Sequence, residues 1–112
     1  MEALFVELPA FARFRAHYLT DQAFSTMQLE MMTNPEMGDV IEDTGGLRKL
    51  RQPDPKRGKG KRGGLRVIYH WWVSGRPFWL FTLYDKNEVS DLTAQGRKSF
   101  KDMLKRELEA RR

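Results

Sequence analysis

No cysteine occurs in the chain, so disulfides and thiolate metal sites drop out at once. Histidine is nearly as scarce, with only His17 and His70 left as soft ligands, which argues against a structural zinc. Asp85 and Glu88 form one acid pair without companion ligands, so the residues suggest no divalent metal either. No apolar run approaches the roughly 18 residues of a membrane span, and Glu2 stands where a secretory signal would carry positive charge. These absences predict a soluble, cytoplasmic protein with no membrane contact, metal or cofactor. The 112 residues, 40% of them apolar, suffice for a real core and predict one domain spanning 1–112.

Charge is present in quantity and unevenly placed. Residues 48–66, RKLRQPDPKRGKGKRGGLR, hold nine Lys or Arg against the one acid Asp54, a local +8 in a chain whose total is +5. The first 47 residues sum to −6 and the last 46 to +3, so the positive charge is concentrated. Such a segment, with glycines that expose backbone amides, suits a polyanionic partner. Two aromatic-rich runs, LRVIYHWWV and PFWLFTLY, follow directly. Sheet-forming aromatics beside the charge predict a folded domain that acts on nucleic acid, not a loose basic tail.

The pattern predicts an α+β fold in the order β-α-α-β-β-β-α, a small antiparallel sheet with helices packed against it. Residues 3–8 read as a strand, and Pro9 suits the first turn of a helix. Phe11, Phe14 and Tyr18 make that helix's apolar stripe. Thr20 is placed to cap a second helix, which carries Phe24, Met27 and Met31 on one face and stops at Asn34-Pro35. After the turn region PEMGDVIEDTGG, LRKLR predicts a strand whose Leu47 and Leu50 face opposite ways, implying a bulge or an edge position. Residues 52–63 hold two prolines, three glycines and a run of cations, and read as a long loop. Leu65–Val73 and Pro77–Tyr84 predict a central hairpin closed around Ser74-Gly75-Arg76, apolar on both faces. A last helix, capped by Asp91 or Thr93, buries Phe100, Leu104 and Leu108.

The hairpin brings chemistry together. A three-residue turn pairs Val73 with Pro77 and sets Arg66 opposite Tyr84, whereas a two- or four-residue turn sets Arg66 opposite Asp85. In either register Arg66 and Tyr84 meet at the open end where the basic loop enters, with Lys86 just beyond. Cleavage of RNA by its own 2′-OH needs a base at that hydroxyl, positive charge on the pentacoordinate phosphorus and an acid at the leaving 5′-oxygen. Arg66 suits the phosphate through its planar donor fork. Lys59 or Lys61 can assist as base or electrostatic partner if neighbouring cations depress its pKa. Tyr84 can stack on a splayed base or move a proton. The plainer readings are a basic loop that only binds, a Tyr84 that only closes the core edge, and a His70 that is simply packed.

Three stretches, GDVIEDTGGLRKLR, GKGKRGGLRVIYHWW and FTLYDKNEVSDLT, resemble the RelE/HigB family of bacterial toxins, in particular its HigB-like branch. They fall in the family's order over nearly the whole chain. The resemblance implies a microbial-RNase-like RelE fold and a toxin of a type II toxin–antitoxin system that cuts mRNA in the ribosomal A site without a metal. It also implies an antitoxin from the same operon, HigA-like with a helix-turn-helix, and contact with operator DNA only through that complex. Carried over by motif, the catalytic positions are Lys59, Lys61, Arg66, Tyr84 and Lys86, while Arg48, Lys49, Lys56, Arg57 and Arg62 hold RNA backbone. Asp85 departs from the small neutral residues common there, and Gly96 weakens the last helix by roughly 1 kcal/mol relative to Ala. Two alternatives stand beside this reading: a ParE-like toxin that poisons gyrase, and a non-catalytic nucleic-acid-binding module.

Overall fold

Two central strands with apolar residues on both faces need cover on both sides, and that requirement shapes the architecture. The computed structural model describes residues 5–53, 64–71, 78–86 and 93–110. In chain order they form β1 (Phe5–Glu7), α1 (Pro9–Tyr18), α2 (Asp21–Thr33), β2 (Asp39–Val40), β3 (Arg48–Gln52), β4 (Leu65–Trp71), β5 (Phe78–Asp85) and α3 (Ala94–Ala110). The five strands make one sheet in the order β1-β5-β4-β3-β2.

The α+β layout matches the expectation, with two additions. β1 runs parallel to β5, Phe5 beside Phe78 with their rings stacked at 4.8 Å, so the sheet is mixed. A two-residue strand, β2, covers the far edge of β3, which is therefore an interior strand.

Helix boundaries follow local chemistry. Pro9 opens α1 where its missing N–H costs nothing. Thr20 caps α2, its hydroxyl oxygen accepting the Ala23 N–H at 3.0 Å. Thr93 does the same for α3, accepting the Gly96 N–H at 3.0 Å. Arg15 then ties three elements together. Its guanidinium bonds Glu7 of β1 at 3.0 Å, reaches Asp21 of α2 at 3.5 Å and lies 4.7 Å over the Phe24 ring.

Each face has its own core. Phe11, Tyr18, Phe24, Met27 and Met31 of α1 and α2 pack on Leu50, Val67, Tyr69, Phe78, Leu80 and Leu83. On the other face Leu104 of α3, flanked by Phe100, Met103 and Leu108, packs on Leu47, Ile68, Trp79 and Phe81. Each fully buried side chain of this kind contributes about 1.5–3 kcal/mol. Leu47 and Leu50 do face opposite ways, but neither a bulge in β3 nor an edge position is involved, because each has a core to enter. Phe14 leaves the predicted stripe and stays 40% exposed, since α1 turns Phe11 and Tyr18, seven residues apart, toward the sheet.

Two tight connections fix the β2–β3 edge. The Tyr69 hydroxyl donates to Pro35 O at 2.7 Å and accepts the Gly38 N–H at 3.1 Å. A Cβ at Gly38 would fall 2.9 Å from the Tyr69 ring, so only glycine fits there. In the following turn, Thr44 is fully buried, donating to Ile41 O at 2.7 Å and accepting the Leu47 N–H at 3.2 Å. Asp43, Gly45 and Gly46 all have positive φ, which brings the turn beneath Leu104.

Candidate nucleic-acid interface

The register of the hairpin decides which side chains meet. Near the turn, Trp71 pairs with Phe78, His70 with Trp79 and Tyr69 with Leu80. A bulge at Ile68/Tyr69 then shifts the ladder by one, so that Thr82 faces Ile68, Leu83 faces Val67 and Tyr84 faces Arg66. The open end therefore has the register expected of a three-residue turn, and the closed end is one residue out of step with it; the expected turn Ser74-Gly75-Arg76 lies outside the described residues.

β3 extends the rung. Arg51 pairs with Arg66, giving the row Arg51–Arg66–Tyr84 across three adjacent strands. Alternation places this row on the α3 face, where Tyr84 packs against the core that holds Leu104. Arg66 is only 7% exposed, and its Nη1 donates to the carbonyl of Leu65 at 3.2 Å. A guanidinium so placed lies in a setting where water screens charge weakly. Lys86 is exposed just past the strand, its N–H reaching Gly64 O at 3.4 Å and closing the ladder where the basic loop rejoins it.

The next rung lies on the opposite face and reads Gln52–Leu65–Asp85. Gln52 and Asp85 are each 3% exposed, and Gln52 Nε2 donates to Arg51 O at 3.0 Å. Three of the four buried polar residues named among those described, Gln52, Arg66 and Asp85, thus collect at one end of the sheet. Burying polar groups costs stability unless they are satisfied, so this end of the sheet is held by polar contacts where the closed end is held by apolar ones.

The other expected residues divide three ways. Lys49 shares the face of Arg66, two residues from Arg51, and is half-buried. Arg48 faces the other way, donating to Gly38 O at 2.7 Å and Glu36 O at 3.2 Å and pairing with the Glu36 carboxylate at 3.3 Å, so the structure spends it on holding the 35–38 turn. Lys56, Arg57, Lys59, Lys61 and Arg62 lie outside the described residues.

Sequence reasoning missed two cations. Arg51 completes the row, and Arg97 of α3 joins Lys49 and Arg51 in lining an open cleft of about 300 Å³ whose remaining walls include Asp39 and Glu42. The alternation of Lys49 and Arg51 was a usable signal for the first; nothing local pointed to the second.

His70 shares the α3 face but sits at the closed end, its ring 5.8 Å from that of Trp79, and burial holds its pKa below the ordinary 6.5. Among the described residues no group of three or more His, Asp or Glu is placed to hold a metal ion. No described helix is long and apolar enough to cross a membrane.

A mixed five-stranded sheet between a helix pair and a single helix, with a cationic row at the open end of its central hairpin, defines the class. No family model matches the chain. Its fold is similar to that of a solved structure of a mutant form of the E. coli toxin RelE in the free state, with a TM-score of 0.52 over 80% of this chain and 90% of that one. Identity is 10%, so the likeness is one of fold.

Proposed function

We propose that the protein is a cytoplasmic toxin of a type II toxin–antitoxin system, HigB-like, that cleaves mRNA in the ribosomal A site without a metal. The observation that carries this reading is the row Arg51–Arg66–Tyr84, two guanidinium groups and a phenol side by side on one sheet face beside the entry of the basic loop. The RelE-type fold and the motifs in the sequence lend it further support.

In the proposed reaction the 2′-oxygen loses its proton to a base and bonds to the adjacent phosphorus. The bond from phosphorus to the 5′-oxygen then breaks, and that oxygen takes up a proton. The products are a 2′,3′-cyclic phosphate and a 5′-hydroxyl end. Arg66 neutralises the charge that builds on the phosphoryl oxygens, and being held before the reaction it needs no reorganisation. Arg51 grips a neighbouring phosphate. Tyr84 stacks on the splayed base or moves a proton at the reacting centre, and Lys86, with Lys59 and Lys61 of the loop, supplies the remaining proton transfers and charge. Arg48, Lys49, Lys56, Arg57 and Arg62 hold RNA backbone, and Arg48 also fixes the turn beside β2. A HigA-like helix-turn-helix antitoxin neutralises the protein, and operator DNA is met only through that complex.

Cell-free translation with mapping of mRNA ends tests the reading. Metal-independent cuts within ribosome-bound message, lost in Arg66→Ala, are expected. Intact message with inhibited gyrase supercoiling would replace this reading with a gyrase poison, and intact message with RNA binding alone would leave a binding module.

A further inference from the structure

The cations of α3 belong to no role assigned so far. Arg97, Lys101 and Lys105 recur every four residues, so they form one line along the helix at about 5.4 Å per turn, and Lys98 lies beside it. Helical geometry sets this line against one edge of the apolar stripe of Phe100, Leu104 and Leu108. Lys98, Lys101 and Lys105 are exposed, and none of the ion pairs among the described residues falls on them. Like charges four residues apart weaken a helix slightly, so the line adds nothing to α3's own stability within itself.

Arg97 connects this line to the sheet. It lines the cleft it shares with Lys49 and Arg51, and it also lines a second cleft of about 320 Å³ with Asp43, Lys98 and Lys101. The acids of the two clefts, Asp39, Glu42 and Asp43, all belong to β2 and its following turn and form one wall. Floor and opposite wall are cationic. Beyond Lys101 the line runs on to Lys105 and leaves that acidic wall behind. Asp102 and Glu109 follow Lys98 and Lys105 by four residues and border its outer side.

We infer that this edge of α3 is a second binding site for RNA phosphodiester backbone, continuous through Arg97 with the cationic floor at Lys49 and Arg51. The inference deepens the ribosomal reading, and rests on it for the identity of the anion. A strand held at the Arg66 row is flanked by backbone that follows α3, away from the bond that breaks. A phosphodiester chain fits because it offers one charge per nucleotide along a line, as the helix does. The backbone is supplied either by ribosomal RNA or by the message.

The test measures affinity of the full-length parent and of the triple variant Lys98→Gln, Lys101→Gln, Lys105→Gln for small ribosomal subunits, with and without bound mRNA, over a range of salt. The parent should show the steeper dependence of log affinity on log salt, and the variant's slope should be smaller by about 2–3, since each lost phosphate contact removes roughly 0.7–0.9. A reduction in both arms assigns the contact to ribosomal RNA, and a reduction only with message present assigns it to mRNA. The charge-preserving triple Lys→Arg variant should keep the parent slope. The Gln variant should melt close to the parent, because the like-charge pairs relieved are offset by the loss of the opposite charges spaced four apart, Lys98–Asp102 and Lys105–Glu109. Equal slopes for parent and Gln variant in both arms overturn the inference, even if the variant has lost affinity for an acidic protein partner. A parent that binds steeply but cuts no message removes the proposed reaction and leaves this site standing.

Discussion

The two ends of the central hairpin share one backbone ladder and are put to opposite uses. Toward the turn, Tyr69, Phe78, Trp79 and Leu80 are buried almost completely and join the two cores. Past the bulge, the same strands carry Arg66 and Tyr84 on one face and Asp85 on the other. The closed end holds the domain together by apolar burial. The open end instead keeps charged and hydrogen-bonding groups in a poorly solvated place, the setting in which the proposed reaction would be served best. The bulge separates the two: by shifting the pairing once, it lets the closed end keep its alternation and still sets Tyr84 opposite Arg66.

The largest effect expected from this division is on stability at the closed end. Trp79→Ala should cost about 3–5 kcal/mol in denaturant unfolding, the usual range for deleting a buried aromatic. A loss below about 1 kcal/mol would show that apolar burial there does not hold the fold. At the open end the large effect should be on reaction rate instead. Arg66→Ala should lower mRNA cleavage by about 10²–10³-fold, the range for removing one preorganised electrostatic donor. Arg66→Lys keeps the charge but loses the planar fork, so it should recover only part of that. Tyr84→Phe should lower cleavage by about 10²-fold, as expected for loss of a proton-transfer group. Full activity in Tyr84→Phe would assign the ring to stacking alone.

Much of this division was readable from the sequence, and the unread parts have physical causes. Pro9, Thr20 and Asn34-Pro35 set the helix bounds because capping and proline geometry act within a few residues. The meeting of Arg66 with Tyr84 followed from the strand pattern in either register. The parallel pairing of β1 with β5 did not, since a three-residue strand carries almost no signal for a partner some seventy residues away. The bulge escaped notice because Phe81 and Thr82 are both ordinary strand formers. Charge alone does not reveal facing: in β3 Arg48 pairs with Tyr69 and reaches the 35–38 turn, whereas Arg51 pairs with Arg66. Arg97 enters the cleft only through the docking of α3, a tertiary event.

A smaller effect tests the border between the two ends. Tyr69 anchors the 35–38 turn through its hydroxyl, and that turn delivers β2 to the edge of β3. Tyr69→Phe keeps the ring but deprives Gly38 N–H and Pro35 C=O of their partner, a loss of about 1–3 kcal/mol. Cleavage per folded molecule should barely change, since the hydroxyl is on the face away from Arg66. Proportional loss of activity and stability in denaturant-free buffer would show that the two ends are coupled through the β2 edge.

The smallest expected effect lies in the pH dependence of stability, and it concerns His70, an ionisable side chain that the closed end places beside Trp79. His70 shares strand and face with Arg66, four residues away, or about 13 Å at strand spacing. Burial disfavours the imidazolium and lowers its pKa, while a backbone hydrogen bond with Gly46 acts in the opposite direction more weakly. In the unfolded chain the imidazole gains its proton near pH 6.5. Between that value and the lowered pKa of the fold, the unfolded chain binds more protons than the native one. Stability therefore rises with pH through this window and is lost as pH falls below about 6.5, levelling once the folded-state pKa is passed. His70→Gln cannot take the proton, so its unfolding free energy should be flatter than the parent's from pH 7 down to the onset of carboxylate titration. Denaturant midpoints measured at intervals across that range decide the matter. If parent and variant slopes coincide, His70 is solvated in the fold, and the closed end is less dry than its neighbours imply.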